Sequence, residues 1–304
     1  MRWQPGRFGV DAVSHAEKWT IRRLLQWTTE YLTKCGSETP RLDGEILLAN
    51  ACECERIELY TTYDEKAPDS VRDTFRSLVR ERARGVPVAY LVGQREFYSL
   101  TFRVTPDVLI PRPETEHVVL SVVEKNKDWE HAESVQCIDV GTGSGVIAVC
   151  VARYIPNAHV LAVDISEAAL EVAQSNIVTH GVQDRVELMR SDLFENVPQD
   201  AVFDVVVSNP PYISEGELAT VSPEVRCHEP REALLGGAKG SEVIERLVPQ
   251  SADHLRPGGC LIFEISPMLE EVACQIVAAD DRFGPPVVNK DLAGHARVVE
   301  TLRQ

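Results

Sequence analysis

The chain has 304 residues, 44% of them hydrophobic and 26% charged, a composition that excludes a disordered or fibrous protein. A formal net charge of −16 argues against wrapping bare nucleic acid, where phosphates are met by Lys and Arg. At roughly 100–200 residues per domain, the length suits one large domain and a smaller one. The acidity is uneven: residues 1–90 carry 14 Lys and Arg against 14 Asp and Glu, and the remainder carries 17 against 33. No stretch approaches the roughly 20 apolar residues of a membrane-spanning helix. Arg2, Arg7, Asp11, Glu17 and Lys18 interrupt the opening residues, where a signal peptide would need an apolar run. A cytosolic protein without a membrane partner is expected, with its eight scattered cysteines reduced.

Residues 1–19 read as an N-terminal extension. From Thr20 the apolar spacing is helical: Ile21, Leu24, Leu25, Trp27 and Leu32 run to a stop at Gly36, and Leu42, Ile46, Leu47 and Ala51 make a second stripe. A third helix begins at Asp69 or Ser70, turns Val71, Phe75, Leu78 and Val79 one way, and ends at Gly85. Residues 20–90 are therefore expected to form a small helical bundle. Arg72, Arg76 and Arg80 fall at four-residue steps on one face of its last helix. Such a row is a solvated face or a docking surface for an acidic or RNA-associated partner. Cys52-Glu53-Cys54 lacks the spacing of a zinc site, and no pair of histidines stands four residues apart, so no metal is expected.

After Pro87 two short strands, Glu96–Tyr98 and Leu100–Val104, suggest a hairpin within a linker of residues 91–112. Pro111 and Pro113 stiffen the approach to a helix beginning near Glu114. Over residues 113–304 apolar runs alternate with helical segments. The runs are Val135–Val140, His159–Val163, Val186–Met189, Phe203–Val207 and Leu261–Ile265, and the helical segments are Gly145–Tyr154, Glu167–Thr179 and Glu242–Leu255. Strands this apolar are covered on both faces, which predicts an α/β fold with a parallel sheet between helices.

The first chemical motif closes the first of these strands, where Cys137-Ile138-Asp139-Val140 leads into Gly141-Thr142-Gly143-Ser144-Gly145 and a helix. Its glycines allow a tight turn and close approach of a ligand, at the place where open α/β sheets bind nucleotides. The spacing is not the dinucleotide G-x-G-x-x-G, and there is no P-loop for a triphosphate. Asp164 ends the next strand about 20 residues on, where a carboxylate accepts from ribose hydroxyls; a helix N-cap is its structural alternative, a role Ser166 fills equally well. Asp192, before Leu193 and Phe194, offers a carboxylate for the exocyclic amine of adenine. Asn209-Pro210-Pro211-Tyr212 follows the strand Phe203–Val207 and joins a side-chain amide, a proline-stiffened backbone and an aromatic ring. The Asn209 oxygen and the Pro210 carbonyl together suit a planar −NH2 group, with Tyr212 packed against it.

Taken together, these motifs make the chain resemble the HemK or PrmC family, the glutamine N5-methyltransferases that modify peptide chain release factors. The resemblance runs from about Ile21 onward. It includes Leu42-Asp43-Gly44-Glu45-Ile46-Leu47-Leu48-Ala49, Pro87–Gly93, Glu96-Phe97-Tyr98 and Ile110-Pro111-Arg112-Pro113-Glu114-Thr115-Glu116. It continues through Asp139–Gly145, Asn209–Ile213, Glu229-Pro230 with Ala233-Leu234, and Arg256-Pro257-Gly258-Gly259. Asn-Pro-Pro-Tyr alone would also fit DNA adenine methyltransferases; the Pro-Arg-Pro-Glu-Thr-Glu segment and the N-terminal bundle narrow the match.

The resemblance implies a Rossmann-like class I S-adenosylmethionine-dependent methyltransferase domain, preceded by a helical substrate-recognition domain and a linking β-hairpin. It implies S-adenosylmethionine as methyl donor and the glutamine of a release factor's Gly-Gly-Gln loop as acceptor, in a monomer without stable nucleic-acid binding. Gly141, Thr142, Gly143, Ser144 and Gly145 would line the methionine and ribose, Asp164 would hold the ribose hydroxyls, and Asp192 with Leu193 would flank the adenine. Asn209 would border the cofactor and, with Pro210, Pro211 and Tyr212, hold the glutamine amide, Asn209, Pro210 and Tyr212 being the catalytic group. Many relatives carry an aromatic where Leu193 stands, a part Phe194 could take; Cys227-His228 and Ser266-Pro267 are further departures. A nucleic-acid adenine N6-methyltransferase with the same clamp is the alternative, and it would call for a Lys- and Arg-rich recognition region. A non-catalytic release-factor-binding module would have no need of the intact glycines, Asp164 and Asn209.

Overall fold

The computed structural model describes residues 19–125 and 132–304, so all but the last residue of the expected extension lies outside the described residues. Two compact units divide between Arg84 and Gly85. The first is helical: α1 (Ile21–Lys34), α2 (Pro40–Cys52), the single turn α3 (Glu58–Thr61) and α4 (Asp69–Arg82). Thr20 caps α1 by accepting from the Arg23 amide at 3.3 Å. Of the apolar stripes Ile21, Leu24, Leu25, Leu32, Leu47, Phe75 and Val79 are buried, together with Leu48 and Leu59, whereas Trp27 and Leu42, expected to face inward, are exposed at 44% and 39%. Only α3 escapes the sequence pattern, because four residues are too few to show a period.

Two buried carboxylates fasten α2 to its neighbours. Asp43 accepts from Arg82 at 2.8 Å, Ser37 at 2.7 Å and Thr39 at 2.8 Å. Glu45 accepts from Arg41 at 2.6 Å, Arg56 at 3.2 Å and Tyr60 at 2.5 Å. Between them Gly44 leaves room for α1, since a Cβ there would stand 3.3 Å from the Thr28 methyl. On α4, Arg72 pairs with Asp69 and Arg76 with Asp73 at 3.4 Å. Two of the three aligned guanidinium groups thus meet an acid one turn back, and Arg80 is exposed.

The second unit opens with α5 (Val88–Val92) and a hairpin of β1 (Gln94–Phe97) and β2 (Leu100–Arg103). The two-residue turn between them places Tyr98 at φ 49° and Ser99 at φ 61°. A right-handed hairpin demands two left-handed residues in such a turn, a conformation that costs L-residues about 1–2 kcal/mol each. A Ser99→Gly variant is expected to gain about 0.5–1 kcal/mol of stability after glycine's extra chain entropy is counted. A rise in the urea midpoint with unchanged slope is the measurement.

The elements that follow are α6 (Glu116–Glu124), β3 (Val135–Val140), α7 (Val146–Tyr154), β4 (Ala158–Asp164), α8 (Glu167–Thr179), β5 (Val186–Arg190) and β6 (Phe203–Ser208). Beyond them come β7 (Ile213–Ser214), α9 (Pro223–His228), β8 (Leu235–Gly237), α10 (Glu242–His254), β9 (Leu255–Glu264), α11 (Glu270–Ala278), β10 (Val287–Lys290) and β11 (Ala296–Leu302). Among the described residues the main sheet has the order β10-β11-β9-β6-β3-β4-β5. The five strands from β9 to β5 are parallel, as the apolar runs predict. At the other edge the parallel expectation is corrected: β11 runs antiparallel to both β9 and β10. Neither shows the long apolar run of a doubly covered strand; β10 ends in Asn289 and Lys290, and Arg297, Glu300 and Thr301 punctuate β11.

Neighbouring residues of each central strand feed opposite faces. Cys137, Val160, Val205 and Ile262 pack with α6, α7, α8 and the hairpin phenylalanines Phe97 and Phe102. Ile138, Val163, Val206 and Leu261 pack with α10 and α11. Both faces are thus dry, and the C-terminal edge of the parallel strands is left for chemistry.

Candidate active site

In the order β6-β3-β4-β5 the strands run parallel, so their C-terminal ends stand side by side. Asn209–Tyr212 follows β6, Gly141–Gly145 follows β3, Asp164 ends β4, and Asp192 and Leu193 follow β5. One edge of the sheet therefore gathers the glycine-rich turn, Asp164, Asp192, Leu193 and the Asn-Pro-Pro-Tyr segment.

The glycine-rich turn is held from both sides. Gly141 and Thr142 both donate their amides to the Val163 carbonyl at 2.9 Å, and Gly143 donates to Asp164 Oδ2 at 2.8 Å. All three glycines are left-handed, with φ of 76°, 55° and 81°. A Cβ on Gly141 or Gly143 would meet open space, whereas one on Gly145 would press on Ala173 of α8 at 3.2 Å. The first two thus face the side on which a ligand can lie, and the third seats helix α7 against α8. The Thr142 hydroxyl points inward and donates to Asp139 at 2.7 Å, so its amide, not its side chain, shapes the turn. Burial pushes the Asp139 carboxyl up to about 7, against hydrogen bonds from Thr142 and the Ala148 amide. Its Oδ1 is buried without a hydrogen-bond partner.

Asp164 also accepts from the Ser166 amide at 2.9 Å, while Ser166 caps α8, so the two residues share the strand-to-helix turn. Burial raises the Asp164 carboxyl above its ordinary range, opposed by the Ser166 and Gly143 amides. Two amide bonds leave lone pairs for further donors, since a carboxylate offers about four such sites. Asp192 pairs with Arg246 of α10 at 2.8 Å, a contact its sequence neighbours do not announce. Leu193 is left-handed at φ 49°, a strained conformation of the kind that functional turns retain. The Phe194 ring is buried and stacks on His254 at 4.9 Å.

Several residues that sequence reasoning passed over build this edge. Asn176 of α8 donates to the Ser144 carbonyl at 2.8 Å and the Arg103 carbonyl at 3.0 Å, and accepts from the Arg103 amide at 2.7 Å. The Pro-Arg-Pro-Glu-Thr-Glu segment straps distant elements together. Arg112 donates to Glu229 at 2.6 Å, Glu114 faces Arg297 at 3.7 Å, Thr115 accepts from Asn209 Nδ2 at 2.9 Å, and Glu116 accepts from the Tyr98 amide at 2.9 Å. Glu229 also accepts from the Ile110 amide at 3.2 Å.

The Asn-Pro-Pro-Tyr backbone is gripped by glycines. A Cβ on Gly236 would stand 2.6 Å from the Pro211 carbonyl oxygen and closer still to that of Gly240. A Cβ on Gly240 would stand 2.5 Å from the Tyr212 carbonyl oxygen. The close spacing of glycines at 236, 237 and 240 was the available signal. Backbone cannot yield as a side-chain end can, so Gly236→Ala is expected to displace Pro211, cost about 1–3 kcal/mol and cut activity severely. Steady-state rates beside a melting curve would separate the two losses.

Tyr212 donates to Glu264 Oε1 at 3.0 Å. Burial at the end of β9 pushes Glu264 up to about 7, against the opposing influence of Thr115 and Tyr212. The Tyr212 hydroxyl is raised as well, by burial first and then by Glu264.

The family model for the PrmC N-terminal domain matches residues 23–93, and the one for the methyltransferase small domain matches residues 116–225. The release factor glutamine methyltransferase of Rhodopirellula baltica is 48% identical over 287 residues, covering 94% of this chain and 97% of its own. The enzyme of that name from Geobacter sulfurreducens is 42% identical, covering 82% of this chain and 85% of its own. Among solved structures, the hMettl16 catalytic domain in complex with a MAT2A 3'UTR hairpin superposes with a TM-score of 0.53 at 13% identity, over 74% of this chain and 80% of that one. That likeness is one of fold.

Proposed function

The chain belongs to the family of release factor glutamine methyltransferases, and from that premise we propose its reaction and the residues that carry it. The enzyme moves a methyl group from S-adenosylmethionine to N5 of the glutamine in the Gly-Gly-Gln motif of peptide chain release factors. The observation that carries the assignment is the Asn209 amide, whose nitrogen donates to Thr115 in an orientation that leaves its oxygen for an acceptor −NH2 group.

The strand-end row fits the cofactor. The open faces of Gly141 and Gly143 provide a cradle, Asp164 retains acceptor capacity for ribose hydroxyls, and Asp192 with Leu193 stands at the next strand end for adenine. When bound there, S-adenosylmethionine supplies an electrophilic methyl group.

The protein's part is positioning. An amide nitrogen is a poor nucleophile because its lone pair is delocalised into the carbonyl. Asn209 Oδ1 and the Pro210 carbonyl accept the two N–H bonds of the glutamine amide and fix the nitrogen; orientation of this kind can supply up to about 7–11 kcal/mol. The same oxygens stabilise positive charge as it develops on the nitrogen. Pro210 is buried and Pro211 is braced by Gly236, so the accepting carbonyl is rigid. The surplus amide proton leaves to water afterwards.

The test is to incubate a purified release factor with the protein and S-adenosylmethionine and fragment the Gly-Gly-Gln peptide in a mass spectrometer. One added methyl group on that glutamine is expected. An unmodified glutamine, with cofactor binding demonstrated by calorimetry, would overturn the substrate assignment.

A further inference from the structure

Tyr212 closes the Asn-Pro-Pro-Tyr segment, and its side chain is held at the tip, where the hydroxyl donates to Glu264 Oε1 at 3.0 Å. A bond at that end fixes both torsions of the side chain at once, because the hydroxyl is its farthest atom from the backbone. The backbone end is fixed separately: a Cβ on Gly240 would stand 2.5 Å from the Tyr212 carbonyl oxygen, so the two chains lie in close contact there. With both ends held, the plane of the ring is set.

Glu264 is a firm anchor for such a tether. It pairs with Val298 of β11 and stands between Phe263 and Ile265, all three at 1% exposure or less. Ser208 of β6 pairs with Phe263 of β9, so the next residues, Asn209 and Glu264, both come one step beyond that pair. An acid in this place is costly, since its Oε2 is buried with no hydrogen-bond partner among the described residues. A leucine would extend the apolar run Leu261-Ile262-Phe263 at less cost to the fold. It would not hold the Tyr212 hydroxyl.

Taking Asn209–Tyr212 as the acceptor clamp, as the reading above does, we propose that Glu264 is a positioning residue, which holds the Tyr212 ring at the angle that meets the face of the substrate amide. Asn209 Oδ1 and the Pro210 carbonyl take the two N–H bonds of that amide. Both bonds lie in the amide plane, so they resist a tilt out of the plane only softly. A ring laid against the plane resists it directly. The tilt matters because the nitrogen lone pair stands perpendicular to the plane, along the line on which the methyl group must arrive. Glu264 touches neither substrate nor cofactor in this scheme; it acts on the amide through the tyrosine.

The experiment measures kcat, KM for a whole release factor, cofactor affinity and melting temperature for Tyr212→Phe, Glu264→Leu, Glu264→Gln and the double variant Tyr212→Phe/Glu264→Leu, with Asn209→Ala as reference. Tyr212→Phe keeps the ring and loses the tether. It is expected to lower kcat by about 10–100-fold, with KM and cofactor affinity retained, and Glu264→Leu to match it. Glu264→Gln should keep most of the parent kcat, because its amide oxygen still accepts from Tyr212. The double variant removes both polar partners and should melt no lower than the parent, yet its kcat should stay within about twofold of the single variants. A merely structural pair would regain its rate together with its stability. Should Glu264→Leu fail to fold, Tyr212→Phe and Glu264→Gln decide. Parent kcat in Tyr212→Phe, or losses that multiply in the double variant, beside an inactive Asn209→Ala, overturns the role of Glu264 and leaves the clamp standing. An active Asn209→Ala overturns the clamp and the role of Glu264 with it.

Discussion

Asn209→Ala is expected to lose methyl transfer by about 10²–10³-fold, equivalent to about 2.7–4 kcal/mol of transition-state stabilisation, as when an aimed hydrogen-bonding group is removed from an active site. Binding of S-adenosylmethionine should be largely intact. The loss belongs to the acceptor, since Asn209 follows β6 whereas the proposed cofactor cradle is built on the turns after β3, β4 and β5. Calorimetric titration beside steady-state rates tests this division. A parallel collapse of cofactor affinity and rate would show that Asn209 serves the cofactor first.

The second large effect is on stability. Arg112→Ala strands Glu229, whose side chain is 1% exposed, with only the Ile110 amide to meet its charge. Breaking a buried pair from one side costs about 3–5 kcal/mol, and the lower end applies because Arg112 itself is 28% exposed. Replacing Glu229 by Gln in the same chain should return most of that loss. The uncharged amide still accepts from Ile110 and has no buried charge to neutralise. Urea unfolding followed by far-ultraviolet circular dichroism gives both values. A double variant no more stable than the single one would mean that Arg112 acts through its packing and not its charge.

The parallel core was legible because its strands, buried on both faces, write near-continuous apolar runs such as Val135–Val140 and Phe203–Val207. β10 and β11 were not, being short or broken by polar residues at the edge of the sheet. The glycine turn, Asp164 and the Asn-Pro-Pro-Tyr segment could be found because each places unusual residue types at a strand end. The residues that orient them could not. Glu264 reads as the close of an apolar strand, Asn176 as one polar position on a helix, and Gly236 as part of a loop. Their partners lie 52, 73 and 25 residues away, for Tyr212, Arg103 and Pro211 respectively. Asp192 and Phe194 show the opposite limit: their positions were legible, but their partners Arg246 and His254 come from a helix 54 and 60 residues on. Local chemistry is written locally, and the supports of that chemistry are written wherever the sheet brings the chain back.

Asn176 illustrates how narrow such a support can be. Its side chain must donate to two carbonyls, on the hairpin and on the glycine turn, and accept from one amide. Asp has the size but no donor at neutral pH, Ser and Thr lack the second functional atom, Leu has neither, and Gln is one methylene too long for a site 1% exposed. Position 176 is thus closed to the residues nearest Asn in size and shape, although nothing it does is chemical. A drift in sequence at the hairpin or the turn can be absorbed there because both meet Asn176 through backbone atoms, which every residue but proline supplies.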